Sequence, residues 1–167
     1  RISLLETRTN TQGTIFQLRA ILGRVERELA NFQEIGNFDS ALQFRLAMAF
    51  QGLGRYREAA LILDRMLDSL PPDPVVESAT LAQIQCWMET HRWPMAVTAA
   101  ERYESVFGKE GKFLPTVLFL KAEALREDQL ASPAQLAYGD LVDRFPEDPL
   151  APKALFMQGF LYLQQDD

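Results

Sequence analysis

His91 and Cys86 are the only imidazole and the only thiol in a chain of 167 residues. Nucleophilic catalysis needs a thiol or hydroxyl beside a base that a third group orients, and a zinc site needs about four ligands with Cys or His prominent. His91 stands beside Trp93 with no second Cys or His nearby, and no serine lies in the strand–turn–helix context of a nucleophile elbow. It reads as a solvated turn residue. Cys86, between Gln85 and Trp87, reads as a small buried hydrophobe. A single cysteine cannot close an internal disulfide, so it does not fix the redox compartment. The stretch Gly108-Lys109-Glu110-Gly111-Lys112 has a superficial likeness to a phosphate-binding loop. Val106 replaces its first glycine and Phe113 its Ser or Thr, so it reads as a mobile inter-helix loop. The pairs Glu127-Asp128 and Asp166-Asp167 are sequence neighbours, which on a helix do not face one site. The expectation is a protein without catalytic residues, metal site or cofactor, and therefore not an enzyme.

Composition narrows the class further. Hydrophobic residues are 47% and charged residues 24% of the chain, ordinary for a folded domain. The net charge of −6 argues against nucleic acid as a partner. No apolar run approaches the roughly 20 residues that span a bilayer. The chain opens at Arg1 without Met or an apolar leader and reads as a processed or trimmed piece, with any signal or lipid-attachment segment upstream.

The elements that must position any site come from an internal repeat. Ala59, Leu61, Leu63, Leu67, Asp68, Leu70, Pro71, Asp73 and Pro74 are matched 75 positions on by Ala134, Leu136, Tyr138, Val142, Asp143, Phe145, Pro146, Asp148 and Pro149. Phe44, Ala47 and Ala49 likewise match Phe119, Ala122 and Ala124. Trp93-Pro94-Met95-Ala96 repeats Tyr56-Arg57-Glu58-Ala59 at 37 positions, so the underlying period is 37–38 residues. Breakers fall at about half that period, and the segments between them have helical spacing, as in Leu46, Ala49, Phe50, Leu53. The spacing predicts eight helices: 14–34, 38–52, 56–70, 75–90, 94–107, 115–127, 133–144 and 150–165. Asp73 before Pro74 reads as an N-cap. Ser132-Pro133 with Gln135, and Thr14 with Gln17, read as capping boxes. No segment reads as a strand, and the fold class is all-α. Two-helix units at a fixed period, none able to bury its apolar face alone, make an α-solenoid.

Position by position the pattern resembles the tetratricopeptide (TPR) repeat. From Ser40 the matching residues are Leu46, Ala47, Phe50, Gly54, Tyr56, Ala59, Leu67 and Pro71. From Glu77 they are Trp87, Trp93 and Ala96, with His91 in place of the turn glycine. From Pro115 they are Ala122, Leu125, Ala134, Tyr138 and Pro146, with Ala131 replacing the turn aromatic. From Pro152 they are Leu155, Gly159 and Tyr162. The resemblance implies a right-handed superhelix over 36–167 in units 40–73, 77–110, 115–148 and a truncated 152–167, preceded by a helical segment over 1–35. The turn Gly36-Asn37-Phe38-Asp39-Ser40-Ala41 also looks like a TPR turn, which would make that segment a degenerate leading unit. The joint from Arg144 to Ala151, followed by Ala154, Gly159 and Tyr162, is similar to bacterial cell-envelope TPR proteins of the Tol–Pal-associated coordinator and outer-membrane-assembly lipoprotein type. That likeness implies a periplasmic or cell-envelope location.

The resemblance also implies a protein-interaction scaffold whose concave face comes from the first helix of each pair. There the chain places Phe44, Leu81, Phe119 and Phe156, flanked by Met48, Met88, Glu123, Arg126, Phe160 and Gln164. Such an apolar row suits a partner's peptide segment. The competing reading packs the same residues between units as core. A clamp for a C-terminal carboxylate would need Lys and Asn where Phe44, Met48 and Leu81 stand, and is not expected. Ile15, Leu18, Leu22, Val25, Leu29 and Phe32 follow an a/d heptad over 15–32. They fit either an oligomerising coiled coil, with the chain a self-assembling structural subunit, or a helix packed on the first unit. Leu155, Phe156, Phe160 and Leu163 leave the last helix apolar where a terminal unit needs a polar cap. The expectation is a chain that continues past Asp167 or meets another subunit there.

Overall fold

The computed structural model describes residues 40–69 and 74–165, together with positions 16–17, 19–20 and 23, which are helical. The heptad segment, the Gly36–Asn37 turn, Thr14 and the Asp73 cap lie outside the described residues. The chain divides into two compact units, Arg1–Ser69 and Leu70–Asp167. In the first, α1 (Ser40–Gly52) packs on α2 (Tyr56–Ser69). In the second, α3 (Pro74–Glu89), α4 (Trp93–Phe107), α5 (Leu114–Glu127), α6 (Ala131–Arg144) and α7 (Ala151–Gln165) each pack on the next, and α3 also touches α5. There is no strand among the described residues. The fold is an all-α repeat of helix pairs.

Each intra-pair turn is the same object. Gly54, His91 and Gln129, spaced by the repeat, all have left-handed backbones, with φ of 74°, 54° and 63°. Their amides donate to the carbonyls of Gln51, Met88 and Arg126 at 2.9, 3.0 and 3.0 Å. The following amides of Arg55, Arg92 and Leu130 reach back to Phe50, Trp87 and Leu125, each at 2.9 Å. This is a Schellman C-cap, which satisfies the last carbonyls of the first helix. The carbonyls of Arg55, Arg92 and Leu130 then accept the amides of Ala59, Ala96 and Ala134, starting the second helix. Those three alanines are fully buried, which is why a small residue recurs at this step.

A left-handed conformation costs a residue with a Cβ about 1–2 kcal/mol. Gln129→Gly should therefore raise the thermal unfolding midpoint, by ~2–4 °C for a net gain near 1 kcal/mol. Gly54→Ala should lower it, although open space surrounds its Cβ position. His91→Gly should gain less, because the His91 ring meets Trp93 edge-on at 5.0 Å. Melting curves followed by circular dichroism check the set.

One local expectation is corrected. The Ser132–Gln135 capping box does not form: α6 begins at Ala131, Leu130 occupies the N-cap, and no side chain caps the helix. The turn at Gln129 delivers the chain directly into the helix, leaving Pro133 in the first turn, where its missing N–H costs nothing. Between α4 and α5, Gly108–Glu110 form one 3₁₀ turn. The proline-led cap expected at Asp73 has a described counterpart 75 residues on: the Asp148 carboxylate accepts the Leu150 amide at 2.8 Å, ahead of α7.

Candidate partner-binding surface

The residues expected to line a concave face lie on the first helix of each pair, and burial differs among them. In the first unit Phe44 is half-buried and Met48 is exposed on α1. In the second unit Leu81 and Met88 on α3 are half-buried, as are Glu123 and Arg126 on α5. Phe119 is in the core, with 7% of its surface accessible. Phe156, Phe160 and Gln164 on α7 are exposed, Phe156 at 69%.

Phe119 is closed off by its neighbours. The ring of Tyr138 on α6 meets it edge-on at 5.9 Å, and the Lys153 ammonium of α7 lies 4.6 Å from its centroid. Such a cation over a ring adds about 0.5–2 kcal/mol. The Tyr138 hydroxyl donates to Glu123, whose other carboxylate oxygen accepts from Arg126 at 3.0 Å. Glu123 thus ties α5 to α6, and Arg126 holds its carboxylate from the same helix. Burial, and then the bond to Glu123, holds the Tyr138 hydroxyl well above the usual phenol range. Burial alone would lower the Arg126 pKa, but the Glu123 contacts outweigh it and the guanidinium stays charged.

A second tyrosine organises the α3–α4 end. Tyr103 donates to Glu77 on α3 and accepts the Phe113 amide at 2.8 Å. Gly111 lies so close that an added Cβ would stand 2.7 Å from the Tyr103 hydroxyl. On the second-helix side, Glu104 pairs with Lys121 at 2.8 Å and reaches Arg144 at 3.6 Å. These contacts hold helices together.

No described side chain covers the α7 face in this way. Phe156 and Phe160 stack at 6.5 Å with their planes 14° apart. Leu155, Tyr162 and Leu163 join them, at 56%, 58% and 69% exposure. The opposite side of α7 buries Ala151, Ala154 and Leu161. The helix is thus apolar on the side opposite its buried face as well, with Lys153 and Gln164 among its exposed polar residues. Lys153 and its place over Phe119 were not anticipated from sequence, because the contact depends on how α7 meets α5.

Chemistry-bearing groups are sparse. His91 is exposed on its turn. Cys86 is fully buried, and desolvation, then Glu89, pushes its thiol up to about 11, so it stays protonated at neutral pH. Among the described residues no three His, Cys, Asp or Glu side chains gather as metal ligands. No helix among them is long and apolar enough to cross a membrane.

No protein-family model matches the sequence, and no curated protein matches it. Solved structures do. One is a Podosopora anserina protein, described as a kinesin light chain with nearly identical TPR-like repeats: TM-score 0.69 and 16% identity over 95% of this chain and 83% of that one. Another is MamA from Desulfovibrio magneticus RS-1, residues 41 to the end: TM-score 0.62 and 18% identity over 92% of this chain and 86% of that one. At such identities the likeness is one of fold, and that fold is the TPR-like repeat.

Proposed function

We propose that this chain is a non-enzymatic protein-interaction scaffold that holds an apolar segment of a partner protein against the first helices of its repeats. The stacked, exposed Phe156–Phe160 pair carries the reading, because an uncovered apolar patch on a folded domain marks an interaction site. The half-buried Leu81 and Met88 extend the apolar character to α3. The TPR-like fold supports the same class of function, since its repeats present long surfaces rather than enclosed clefts. Charge selects among partners: a chain of net charge −6 favours neutral or basic segments over acidic tails.

Selection from a displayed peptide library on the immobilised chain tests the reading. Enriched peptides should share bulky apolar anchors. Replacing Phe156 and Phe160 together by serine should weaken them by about tenfold or more, the scale of a lost hot spot. Peptides that bind this double variant equally well, or a library that yields none, would overturn the proposal.

A further inference from the structure

Burial at matching positions of α5 and α7 shows what α7 lacks. At an offset of 37 residues Leu118-Phe119 of α5 recurs as Leu155-Phe156 of α7, and Ala122 recurs as Gly159. One set of positions agrees: Leu114, Val117 and Ala124 are buried, and so are their counterparts Ala151, Ala154 and Leu161. The other set does not. Leu118, Phe119 and Ala122 are buried, whereas Leu155, Phe156 and Gly159 are exposed. Both helices pack on the one before them, α5 on α4 and α7 on α6. Both also reach one helix further back, α5 to α3 and α7 through Lys153 to Phe119 of α5. What α5 has, and no described residue gives α7, is a helix after it. The exposed set on α7 therefore marks the seat of a helix placed as α6 is placed on α5.

The second helices of the three pairs show what such a helix must offer. Each has a fully buried alanine, Ala59, Ala96 or Ala134, and a second fully buried apolar residue four positions on, Leu63, Ala100 or Tyr138. That spacing keeps both on one face. On α6 the second of them, Tyr138, meets the Phe119 ring and donates its hydroxyl to Glu123. At the place of Glu123, α7 has Phe160, which accepts no hydrogen bond. We propose that α7 receives an amphipathic helix of a partner protein, laid antiparallel along it, that presents alanine and, four residues later, phenylalanine. The proposal rests on the reading of α7 as a binding face and gives that partner its shape and sequence. Phenylalanine is preferred to tyrosine because a hydroxyl buried beside Phe160 would go unpaired. Gly159, where an added Cβ would meet nothing within 4 Å, lets the incoming backbone come close. A second copy of the chain is a poor source, since its described helices of this pattern have already buried those residues.

The probe is a labelled peptide of residues 131–144 carrying Tyr138→Phe, held helical by a staple between positions 132 and 136, both exposed in α6. Fluorescence anisotropy with the 167-residue chain should show saturable binding. The same peptide with its natural tyrosine should bind about fivefold more weakly, the scale of one unpaired buried hydroxyl. Ala134→Leu in the peptide should weaken it by about tenfold or more. Gly159→Leu in the chain should do the same, although leucine is apolar and the better helix former, so this variant should melt no lower than the unaltered chain. No saturable binding, indifference to Gly159→Leu or to Ala134→Leu, or equal affinity for the tyrosine peptide would each overturn the proposal. Self-association of the chain that Gly159→Leu abolishes would overturn it too, by giving the face to a second copy. Library peptides that need Phe156 and Phe160 yet carry proline among their apolar anchors would refute the helix and leave the scaffold reading standing. A library that yields no binder would remove both.

Discussion

Tyr103→Ala should destabilise the chain by about 3–5 kcal/mol, the usual cost of removing a fully buried aromatic side chain. Tyr103 has no accessible surface, and its ring lies 5.0 Å from that of Phe107. The loss exceeds simple burial because the hydroxyl joins three segments: it donates to Glu77 on α3 from its place on α4 and receives the Phe113 amide just before α5. Tyr103→Phe keeps the ring and leaves Glu77 and the Phe113 amide without this partner, for about 1–3 kcal/mol. Urea unfolding followed by circular dichroism separates the two contributions. If Tyr103→Phe cost as much as Tyr103→Ala, the ring would contribute nothing, and the account of this joint would be wrong.

Tyr138→Ala should be comparably severe, again about 3–5 kcal/mol. Its ring covers Phe119 and its hydroxyl bonds Glu123, so truncation opens the core and leaves a half-buried carboxylate with Arg126 alone. Both tyrosines make the fold sensitive to alkali. Each hydroxyl titrates above the ordinary phenol value of 10.0 in the folded state, chiefly through burial and then through its carboxylate partner. The folded state thus favours the protonated phenol. That stability is fully present below about pH 10 and falls as pH rises beyond it. Cys86 acts in the same direction between 9.0 and about 11. The melting point should drop from pH ~8 to pH ~11, and the drop should shrink in a Tyr103→Phe, Tyr138→Phe double variant. An equal drop in that variant would place the alkaline sensitivity elsewhere.

The helices and their period were legible in the sequence because the turns repeat a backbone demand, not merely a residue. Gly54 shows that demand openly. His91 and Gln129 hide it, yet the buried alanines after each turn keep the register at Ala59, Ala96 and Ala134. The Ser132 capping box misled because a local side-chain signal was overridden by a turn one step earlier. The surface was harder to read. Phe119 and Phe156 occupy equivalent places in their repeats, and nothing in either residue says that one is buried and the other is not. The difference lies in what comes next: Tyr138 and Lys153 close over Phe119, and no described side chain does so for Phe156. Exposure here belongs to a position's neighbours along the array.

Helices that pack on the next in sequence, as α3 to α7 do, also bear on how fast the second unit can form. Its contacts close short loops of one turn or joint, so little chain entropy is lost before each contact is gained. Folding can then begin at any one helix pair and spread to its neighbours, without waiting for distant segments to meet. The Tyr138–Glu123 bond joins the two helices of one pair, while Tyr103 also holds the Phe113 amide at the start of the next pair. A chain built this way should reach its native state quickly, and local damage should first loosen the pair that bears it.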